Sequence, residues 1–246
     1  MVSDAIVAKE NGADVVEIRL DQLWTKEDRS LKIKEPSDDD SNTSETKVTV
    51  IGFDEVDIES EFTILEKCTD LPIIFCCRPD NQGGFFPGSE EQRIDLLKMA
   101  ISLSPGWIDL EADIDEPIRS ELISMAGEKT KVITSIHNDG DIPAPSEISQ
   151  EILDMQEMGD VVKVCYATKN RTDGLRIFEA AWNLKETEAK VALMGLGPGG
   201  DWARIHAPIL GQYLVYSTTE SGWHLAQQGR INTSDLRTAW SIMEYA

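Results

Sequence analysis

The sequence predicts an α/β fold of the (β/α)8 barrel class, with residues 1–246 in a single domain. Candidate strands and helices alternate at a repeat of roughly 25–35 residues, which is about the length of a βαβ unit. Most candidate strands are almost continuously apolar, as in a parallel sheet that is covered on both faces. Seven strands are predicted, whereas a closed barrel has eight. Because the chain opens with a helix, the absent strand would be the first. The start would then be trimmed or misassigned, or another segment would fill the gap.

The predicted strands begin after a short helix over residues 3–11, which Gly12 ends in the left-handed conformation. The first strand pattern covers residues 13–20 and differs from the others by its charged residues. Residues 31–47 are too polar to bury much surface, so they are predicted to form an exposed loop. The later strand patterns are mainly apolar. They cover residues 71–77, 106–111, 131–137, 160–165, 191–194 and 209–216.

The intervening helices are predicted from apolar residues at a spacing of three or four, which places one face of each helix on the core. One helix starts at a capping box formed by Ser89 and Gln92, and Pro117 marks the start of the next. The residues expected to point inward, helix by helix, are Ile94, Leu97 and Ile101; Ile118, Leu122 and Met125; Ile148, Ile152 and Met155; Leu175, Phe178 and Trp182; and Leu236, Trp240 and Met243.

Composition excludes several classes of partner. Asp and Glu number 45 against 23 Lys and Arg, which gives a net charge of -22 and a pI near 4.4. Such a surface repels nucleic acid and anionic membranes.

The sequence has no run of about 18 apolar residues and no signal pattern at its start, so we expect neither a membrane span nor secretion. The four cysteines have no metal-ligand spacing, which favours buried free thiols in a reducing cytoplasm.

The acidity also suggests a halophilic protein, because a carboxylate-rich surface stays hydrated in strong salt. Dialysis into low salt is then expected to remove structure, which circular dichroism would follow. Full stability without salt would contradict this interpretation.

The stretch Asp160-Val-Val-Lys163-Val-Cys165 places a lysine inside an apolar strand. Stripping water from an ammonium is unfavourable, so a buried lysine tends to lose its proton and become a nucleophilic amine. An uncharged amine is what Schiff-base chemistry on a carbonyl substrate requires. The alternative is a lysine that reaches solvent from the end of its strand.

A histidine ends the strand that precedes this lysine. Neighbouring strands lie ~4.8 Å apart, so His137 and Lys163 could meet over one substrate. A neutral imidazole beside an amine nucleophile can shuttle protons during imine formation and at the carbon next to the imine.

Charged residues share one face of the first strand. Glu17, Arg19 and Asp21 alternate with apolar residues and therefore point the same way. A solvated edge would also explain them. Together with Arg78, however, they fall at strand interiors or carboxyl ends, which is where barrels carry their active sites.

Five segments carry these polar residues in one order along the chain. They are Val16-Glu-Ile-Arg-Leu-Asp21, Cys77-Arg-Pro-Asp-Asn-Gln-Gly-Gly84, Ser135-Ile-His137 with Asp139, Asp160-Val-Val-Lys163, and Met194-Gly195 followed by Arg204. Each segment alone is a weak signal. In this order and at this spacing, the five together resemble the type I 3-dehydroquinate dehydratases of the shikimate pathway, from about residue 13 to the C-terminus.

The resemblance implies roles for these residues. Lys163 would form an imine with the substrate ketone, and His137 would remove the proton from the adjacent carbon and later return one to the departing hydroxyl. Arg204 would pair with the substrate carboxylate, for which a guanidinium fork is suited. The substrate 3-dehydroquinate would give 3-dehydroshikimate and water, with no cofactor or metal, in a cytoplasmic homodimer. The substrate-binding positions implied are Glu17, Arg19, Arg78, Gln82, Met194, Arg204, Ala226 and Arg230.

The sequence departs from the family pattern at two places. Gln82 stands where the family often has a glutamate that supports the histidine, and an amide cannot accept a proton. Residues 226–230 replace a Ser-Ala-Pro-Gly-Gln loop, so that the hydroxyl is lost at Ala226 and a guanidinium replaces the amide at Arg230. Arg230 could pair with the carboxylate or belong to the surface. These departures bear on loop closure and substrate affinity more than on imine chemistry.

Two other functions remain open on the sequence. A class I aldolase also uses a strand lysine on a barrel, although the charged face and Arg204 favour a polyhydroxylated carboxylate over a sugar phosphate. A barrel of the same family with impaired catalysis is the second alternative.

The segment Gly195-Leu-Gly-Pro-Gly-Gly200 has the letters of a dinucleotide fingerprint, but Pro198 and the lack of a long following helix favour a flexible turn at the barrel mouth.

Overall fold

The computed structural model describes residues 1–28 and 47–245. The strands within these ranges are β1 (Val16–Arg19), β2 (Thr25–Asp28), β3 (Lys47–Val50), β4 (Ile73–Cys76), β5 (Trp107–Glu111), β6 (Lys131–Asn138), β7 (Val161–Ala167) and β8 (Val191–Leu196). Six of them form a parallel sheet in the order β1-β4-β5-β6-β7-β8. The other two, β2 and β3, form a separate antiparallel pair.

In the described ranges one helix precedes β1, one helix lies in each of the five connections between successive parallel strands, and three helices follow β8, which agrees with the predicted alternation. They are α1 (Val2–Glu10), α2 (Ile58–Leu65), α3 (Glu90–Ser102), α4 (Glu116–Ala126), α5 (Pro145–Asp154), α6 (Arg171–Leu184), α7 (Trp202–Ile205), α8 (His224–Gln227) and α9 (Thr233–Ile242). The predicted capping box of α3 is confirmed. Ser89 Oγ accepts from the Gln92 N–H at 3.3 Å, and Gln92 Oε1 accepts from the Ser89 N–H at 2.8 Å.

The sheet curves strongly. Four strand spacings separate β1 from β7 in the sheet order, which in a flat sheet would amount to ~19 Å. Lys163 on β7 nevertheless donates a hydrogen bond to Glu17 on β1, with Nζ 3.0 Å from Oε2. The six strands and their helices therefore form a half-barrel, and the predicted (β/α)8 class is confirmed.

The two faces of the sheet pack differently. Side chains on the convex face, such as Phe75 and Ile108, join a large apolar cluster with α1 to α4, and those of β7 and β8 join a second cluster with α5 and α6. On the concave face a small apolar layer includes Ile133 and Val161. Because alternate residues of a strand share a face, the next concave position on β7 is Lys163. The concave face thus changes from apolar to charged toward the carboxyl ends of the strands.

The last predicted strand, residues 209–216, is wrong. The chain turns at Gly211, and only one main-chain bond of this stretch reaches β8, from Tyr213 N to Val191 O at 2.8 Å. The next main-chain donor, Leu193 N, bonds the side chain of Gln212 instead of a backbone carbonyl. Apolar residues of the stretch enter the concave side of the sheet and pack on both small clusters there, which is why the pattern resembles a strand.

Two predicted helix faces are also partly wrong. Met125 is 45% exposed, and Leu175 and Trp182 are 56% and 51% exposed, although all three are large apolar residues at helical spacing. The buried face of α6 is formed by Ile177, Ala180, Ala181 and Leu184, with Asp173 and Gly174 near its start. Close packing of α6 on the sheet favours alanine at the contact, and the bulky residues lie on the outer side.

All four cysteines are buried and free, as predicted. The loop predicted over residues 31–47 lies outside the described residues except for Lys47, with which β3 begins. Among the helices of the described ranges, none is both long and apolar enough to cross a membrane.

Candidate active site

A cleft of about 240 Å³ opens at the carboxyl ends of the parallel strands. Eight of the ten candidate residues line it, and Gln82 and Ala226 do not. The eight are Glu17, Arg19, Arg78, His137, Lys163, Met194, Arg204 and Arg230. Residues from four strands and from the loops that follow the sheet thus meet at one place, as the position of polar residues at strand ends predicts.

Lys163 lies at the base of the cleft with 2% of its surface exposed. Its Nζ donates to Glu17 Oε2 at 3.0 Å and to Asp109 Oδ2 at 2.9 Å, and it lies 4.3 Å from the centre of the Tyr216 ring. Burial lowers the pKa of Lys163, but the charges of Asp109 and Glu17 outweigh burial and raise the pKa well above its ordinary value. The expectation of an uncharged amine is therefore wrong, because beside these two carboxylates Lys163 is an ammonium.

Asp109 is a site residue that the sequence analysis missed. Its carboxylate is fully buried, and its Oδ1 accepts a hydrogen bond from Ser135 Oγ at 2.5 Å while Oδ2 binds the lysine. The signal was present in the sequence, because Asp109 and Glu111 alternate with apolar residues just as Glu17 and Arg19 do. The same pattern, two charged residues at alternate positions of an apolar strand, would therefore have predicted Asp109 and Glu111 as site residues.

One group of described residues has side-chain atoms close enough to hold a metal ion. Potential ligand atoms of Glu17, Cys76 and Asp109 lie within 4.8 Å of one another. Lys163 Nζ bonds both carboxylates of this group, so an ammonium already offsets their negative charge. We therefore assign the group to the lysine and not to a metal.

His137 is held in one tautomer by its neighbours. Arg78 Nη2 lies 2.5 Å from His137 Nε2, and because a guanidinium can only donate, Nε2 is the acceptor and Nδ1 carries the hydrogen. The Nδ1–H faces Gln82 Oε1 at 3.4 Å. Burial, with the nearby charges of Arg78 and Lys163, lowers the pKa of His137 to about 2, so the imidazole is neutral. Gln82 does not line the cleft. It contacts the site through its amide oxygen, which faces Nδ1 of His137.

Glu111 lies beneath the histidine and is a second residue that the sequence analysis did not select. Its side chain is 1% exposed, with Oε1 3.6 Å from Arg78 Nε and 4.0 Å from His137 Nδ1. Its Oε2 accepts from Arg93 Nη1 at 3.4 Å. Burial and the charge of Asp109 raise the pKa of Glu111 to about 8.

Arg19 and Asp21 form a forked ion pair at the edge of the cleft. Arg19 donates to the two oxygens of Asp21 at 2.7 and 2.6 Å. Asp21 is fully buried, and it also accepts from the main-chain N–H groups of Arg78 and Phe85. Glu17 and Arg19 line the cleft as predicted, whereas Asp21 lies outside it and anchors both Arg19 and the turn after β4.

That turn needs both of its glycines. Gly83 has φ +75°, in the left-handed region, and a Cβ on Gly84 would lie 2.0 Å from the carbonyl oxygen of Arg78. Gly83 supplies the positive backbone angle, and Gly84 allows the chain to pass close to the Arg78 carbonyl. The turn brings Gln82 against His137 while Arg78 faces the cleft.

Arg204 is a buried cation that has no anionic partner in the part of the chain that the structure describes. It is 5% exposed and donates to three main-chain carbonyls: to Gly229 at 2.9 Å, Tyr216 at 2.6 Å and Gly195 at 3.1 Å. Within the described ranges, no carboxylate oxygen lies within 4.0 Å of its guanidinium. A buried, always-charged group that lines a cleft and lacks a counter-ion is suited to bind an anion.

Arg230 differs from Arg204 because it has a partner. Its Nη2 donates to Glu220 Oε1 at 2.8 Å and to Thr218 Oγ1 at 3.0 Å, at the exposed rim of the cleft. Ala226, also predicted to bind substrate, is exposed on α8 and does not line the cleft.

The half-barrel and the charged cleft at its carboxyl-terminal end define an enzyme of the (β/α)-barrel class. A family model described as type I 3-dehydroquinase matches residues 1–245. The chain therefore belongs to the type I 3-dehydroquinase family.

Relatives with curated names agree with this assignment. The chain is 27% identical over 239 residues to the 3-dehydroquinate dehydratase of Methanococcoides burtonii, covering 96% of this chain and 88% of the relative. It is 30% identical over 224 residues to the chloroplastic bifunctional 3-dehydroquinate dehydratase/shikimate dehydrogenase of Arabidopsis thaliana. That match covers 90% of this chain but only 31% of the longer relative.

A solved structure supports the fold. The type I 3-dehydroquinate dehydratase of Clostridium difficile, with covalently modified comenic acid, matches with a TM-score of 0.76 at 20% sequence identity. The match covers 98% of this chain and 86% of that one.

Proposed function

We propose that the protein removes water from 3-dehydroquinate through an imine on Lys163 and releases 3-dehydroshikimate. As a member of its family it is a lyase of the hydro-lyase type that acts in the shikimate pathway. One observation carries the proposed mechanism: a buried lysine, a neutral histidine and a buried guanidinium, for which no described residue supplies a carboxylate, line one cleft. The class I aldolase alternative loses its support, because the family match accounts for the same lysine.

Imine formation begins with the proton of Lys163. The ammonium must lose a proton before its nitrogen can attack the ketone, and Glu17 and Asp109 lie within 3.0 Å to accept it. The nitrogen adds to the carbonyl carbon, and the carbonyl oxygen receives one hydrogen from that nitrogen and the proton held by the carboxylate. Loss of this oxygen as water leaves an iminium. Both carboxylates are then ionised again and stabilise the iminium as they stabilised the ammonium.

His137 is the proposed acid–base residue. Its neutral imidazole has the lone pair on Nε2, which accepts a hydrogen bond from Arg78 Nη2. When a substrate hydroxyl accepts the Arg78 hydrogen bond in place of Nε2, the Nε2 lone pair is free. Nε2 can then remove the proton from the carbon beside the iminium. The resulting enamine expels the hydroxyl group as His137 returns the proton, and water leaves. Hydrolysis of the imine then frees the product and restores Lys163.

The substrate carboxylate is assigned to Arg204. The guanidinium lines the cleft, lacks a carboxylate partner among the described residues and still has N–H groups beyond those bonded to carbonyls. Arg230 contributes a second positive charge at the rim, which Glu220 partly offsets. Glu17, Arg19 and Arg78 are assigned to the ring hydroxyls.

Borohydride trapping tests the imine. Reduction in the presence of 3-dehydroquinate is expected to add the mass of the ligand to Lys163, located by peptide mass spectrometry. Lys163→Ala should take up no mass and form no ultraviolet-absorbing enone product. Lys169→Ala is the matched control, because Lys169 is an exposed lysine just beyond the end of β7.

The outcomes separate the alternatives. Mass uptake by Lys163→Ala would show that the site is wrong, and turnover without any trapped mass would refute the imine. Neither turnover nor trapping in the unchanged protein would indicate an impaired barrel. Sugar phosphates are expected to give no turnover.

We also propose that residues 1–246 form one domain and that the protein works as a homodimer in the cytoplasm. Four buried free thiols are typical of a reducing compartment, which supports the cytoplasmic assignment. The dimer is the expectation raised by the family resemblance.

A further inference from the structure

Glu111 carries a buried oxygen without a hydrogen-bond partner among the described residues. This atom, Oε1, lies 3.6 Å from Arg78 Nε, which likewise has no hydrogen-bond partner within the described ranges. The same Oε1 lies 4.0 Å from His137 Nδ1. Buried polar atoms without partners are uncommon and call for an explanation. The position of this one, between the proposed base and its guanidinium partner, points to a role in the reaction.

His137 needs a negative charge when it takes up a proton. Most of the charged groups with the largest effects on its ring are positive, since Arg78, Lys163 and Arg19 disfavour the imidazolium whereas Glu17 favours it. Gln82, at 3.4 Å from Nδ1, offers only a neutral amide oxygen. Among the described residues, Glu111 is the only one with a carboxylate oxygen within 4.0 Å of the imidazole nitrogens.

We propose that Glu111 is a positioning residue whose carboxylate stabilises the protonated form of His137 during turnover, a function that Gln82 cannot provide. The inference rests on the proposed function, because it concerns the acid–base step of that reaction. Oε1 faces the Nδ1 side of the ring, opposite the Nε2 that contacts substrate. Glu111 therefore acts through the histidine and leaves the substrate side free.

The surroundings of Glu111 place its ionisation in an accessible pH range. The charged and titratable groups that face it come from four parts of the chain: Asp109 and Asp113 on or just after β5, Arg93 from α3, Arg78 after β4, and His137 from β6. Burial and Asp109 favour the protonated form, and the two arginines oppose them. With a pKa of about 8, Glu111 is neutral at lower pH and becomes anionic as the pH rises.

The pH dependence of turnover tests the proposal. In the unchanged protein kcat is expected to rise as the pH increases through about 8, because ionised Glu111 strengthens the base. A carboxylate partner shifts a neighbouring pKa by about 1–3, and proton-transfer rates follow base strength, so the rise should be about tenfold. Glu111→Gln should lack the rise and remain at the lower rate.

A rescue variant separates this role from a purely structural one. Adding Gln82→Glu to Glu111→Gln places a carboxylate on the same nitrogen of the ring, without contact to Arg93. This double variant is expected to regain most of the lost rate and to lack the step near pH 8. No rescue, in a double variant that still forms the trapped imine, would overturn the proposal.

A ligand-free measurement keeps the test independent of activity. The chain has three histidines, so ¹⁵N resonances of His137 can be assigned by comparison with His206→Gln and His224→Gln. The His137 shifts should change near pH 8 in the unchanged protein and stay constant there in Glu111→Gln. Absence of that step in the unchanged protein would overturn the inference. Failure of borohydride trapping would instead refute the proposed function and leave this readout intact.

Discussion

The His137→Gln variant is expected to lose about 10²–10⁴-fold in kcat, the usual contribution of a positioned acid–base group, while it still forms the imine. Glutamine fills a similar volume, and its amide oxygen can accept the hydrogen bond that Arg78 donates to Nε2. It cannot take a proton from carbon. The lysine and its two carboxylates are untouched, so nucleophilic attack and imine formation should continue.

Two measurements on the same sample check this expectation. Initial rates of enone formation give kcat, and borohydride reduction followed by mass spectrometry gives imine formation. His206→Gln is the matched control, since His206 bonds Tyr245 away from the cleft and should leave the rate unchanged. A His137→Gln variant with a nearly normal rate would contradict the assignment, and so would one that takes up no mass.

The Arg204→Met variant is expected to lose on the order of 10²–10³-fold in kcat/KM. Removing one partner of a buried charged pair costs about 2–5 kcal/mol, and here the partner is the substrate carboxylate. Most of the loss should appear in KM, because the guanidinium binds a group that does not react. Arg230→Gln should lose less than this, because Glu220 already offsets the Arg230 charge at an exposed rim.

Arg204 also donates to three main-chain carbonyls, so the variant needs a test that loss of structure alone would not satisfy. A ketone analogue without the carboxyl group provides one. The unchanged protein should discriminate strongly between substrate and analogue, and Arg204→Met should discriminate little. Thermal unfolding of both proteins shows whether the variant is folded. A folded variant that keeps the full preference for the carboxylate would refute the assignment.

The position of the candidate site followed from strand periodicity. Side chains two apart share a face and the carboxyl ends of parallel strands lie at one edge, so polar residues at those ends had to meet. Glu17, His137 and Lys163 met in this way. Gly12, which has φ +88°, and the Ser89 capping box were predicted correctly because only the adjacent residues determine these two features.

The protonation state of Lys163 could not be predicted in this way. It depends on Glu17 and Asp109, which are 146 and 54 residues away in sequence. A buried lysine alone tends to be neutral, whereas two buried carboxylates reverse the result. The false strand at residues 209–216 has a similar cause. Its apolar pattern correctly indicates burial. A segment buried on the concave face, however, need not form the regular main-chain hydrogen bonds of a strand.

Tyr216 connects the two ends of the cleft. Its ring lies over the Lys163 ammonium, and its carbonyl accepts the shortest of the Arg204 hydrogen bonds. The stretch that carries it is joined to β8 by a single main-chain bond, at Tyr213. A displacement of this one residue would expose the Lys163 ammonium to solvent and remove one of the three carbonyls bonded to Arg204. The groups proposed as nucleophile and anion binder therefore share one wall residue, and a change at Tyr216 is expected to alter both.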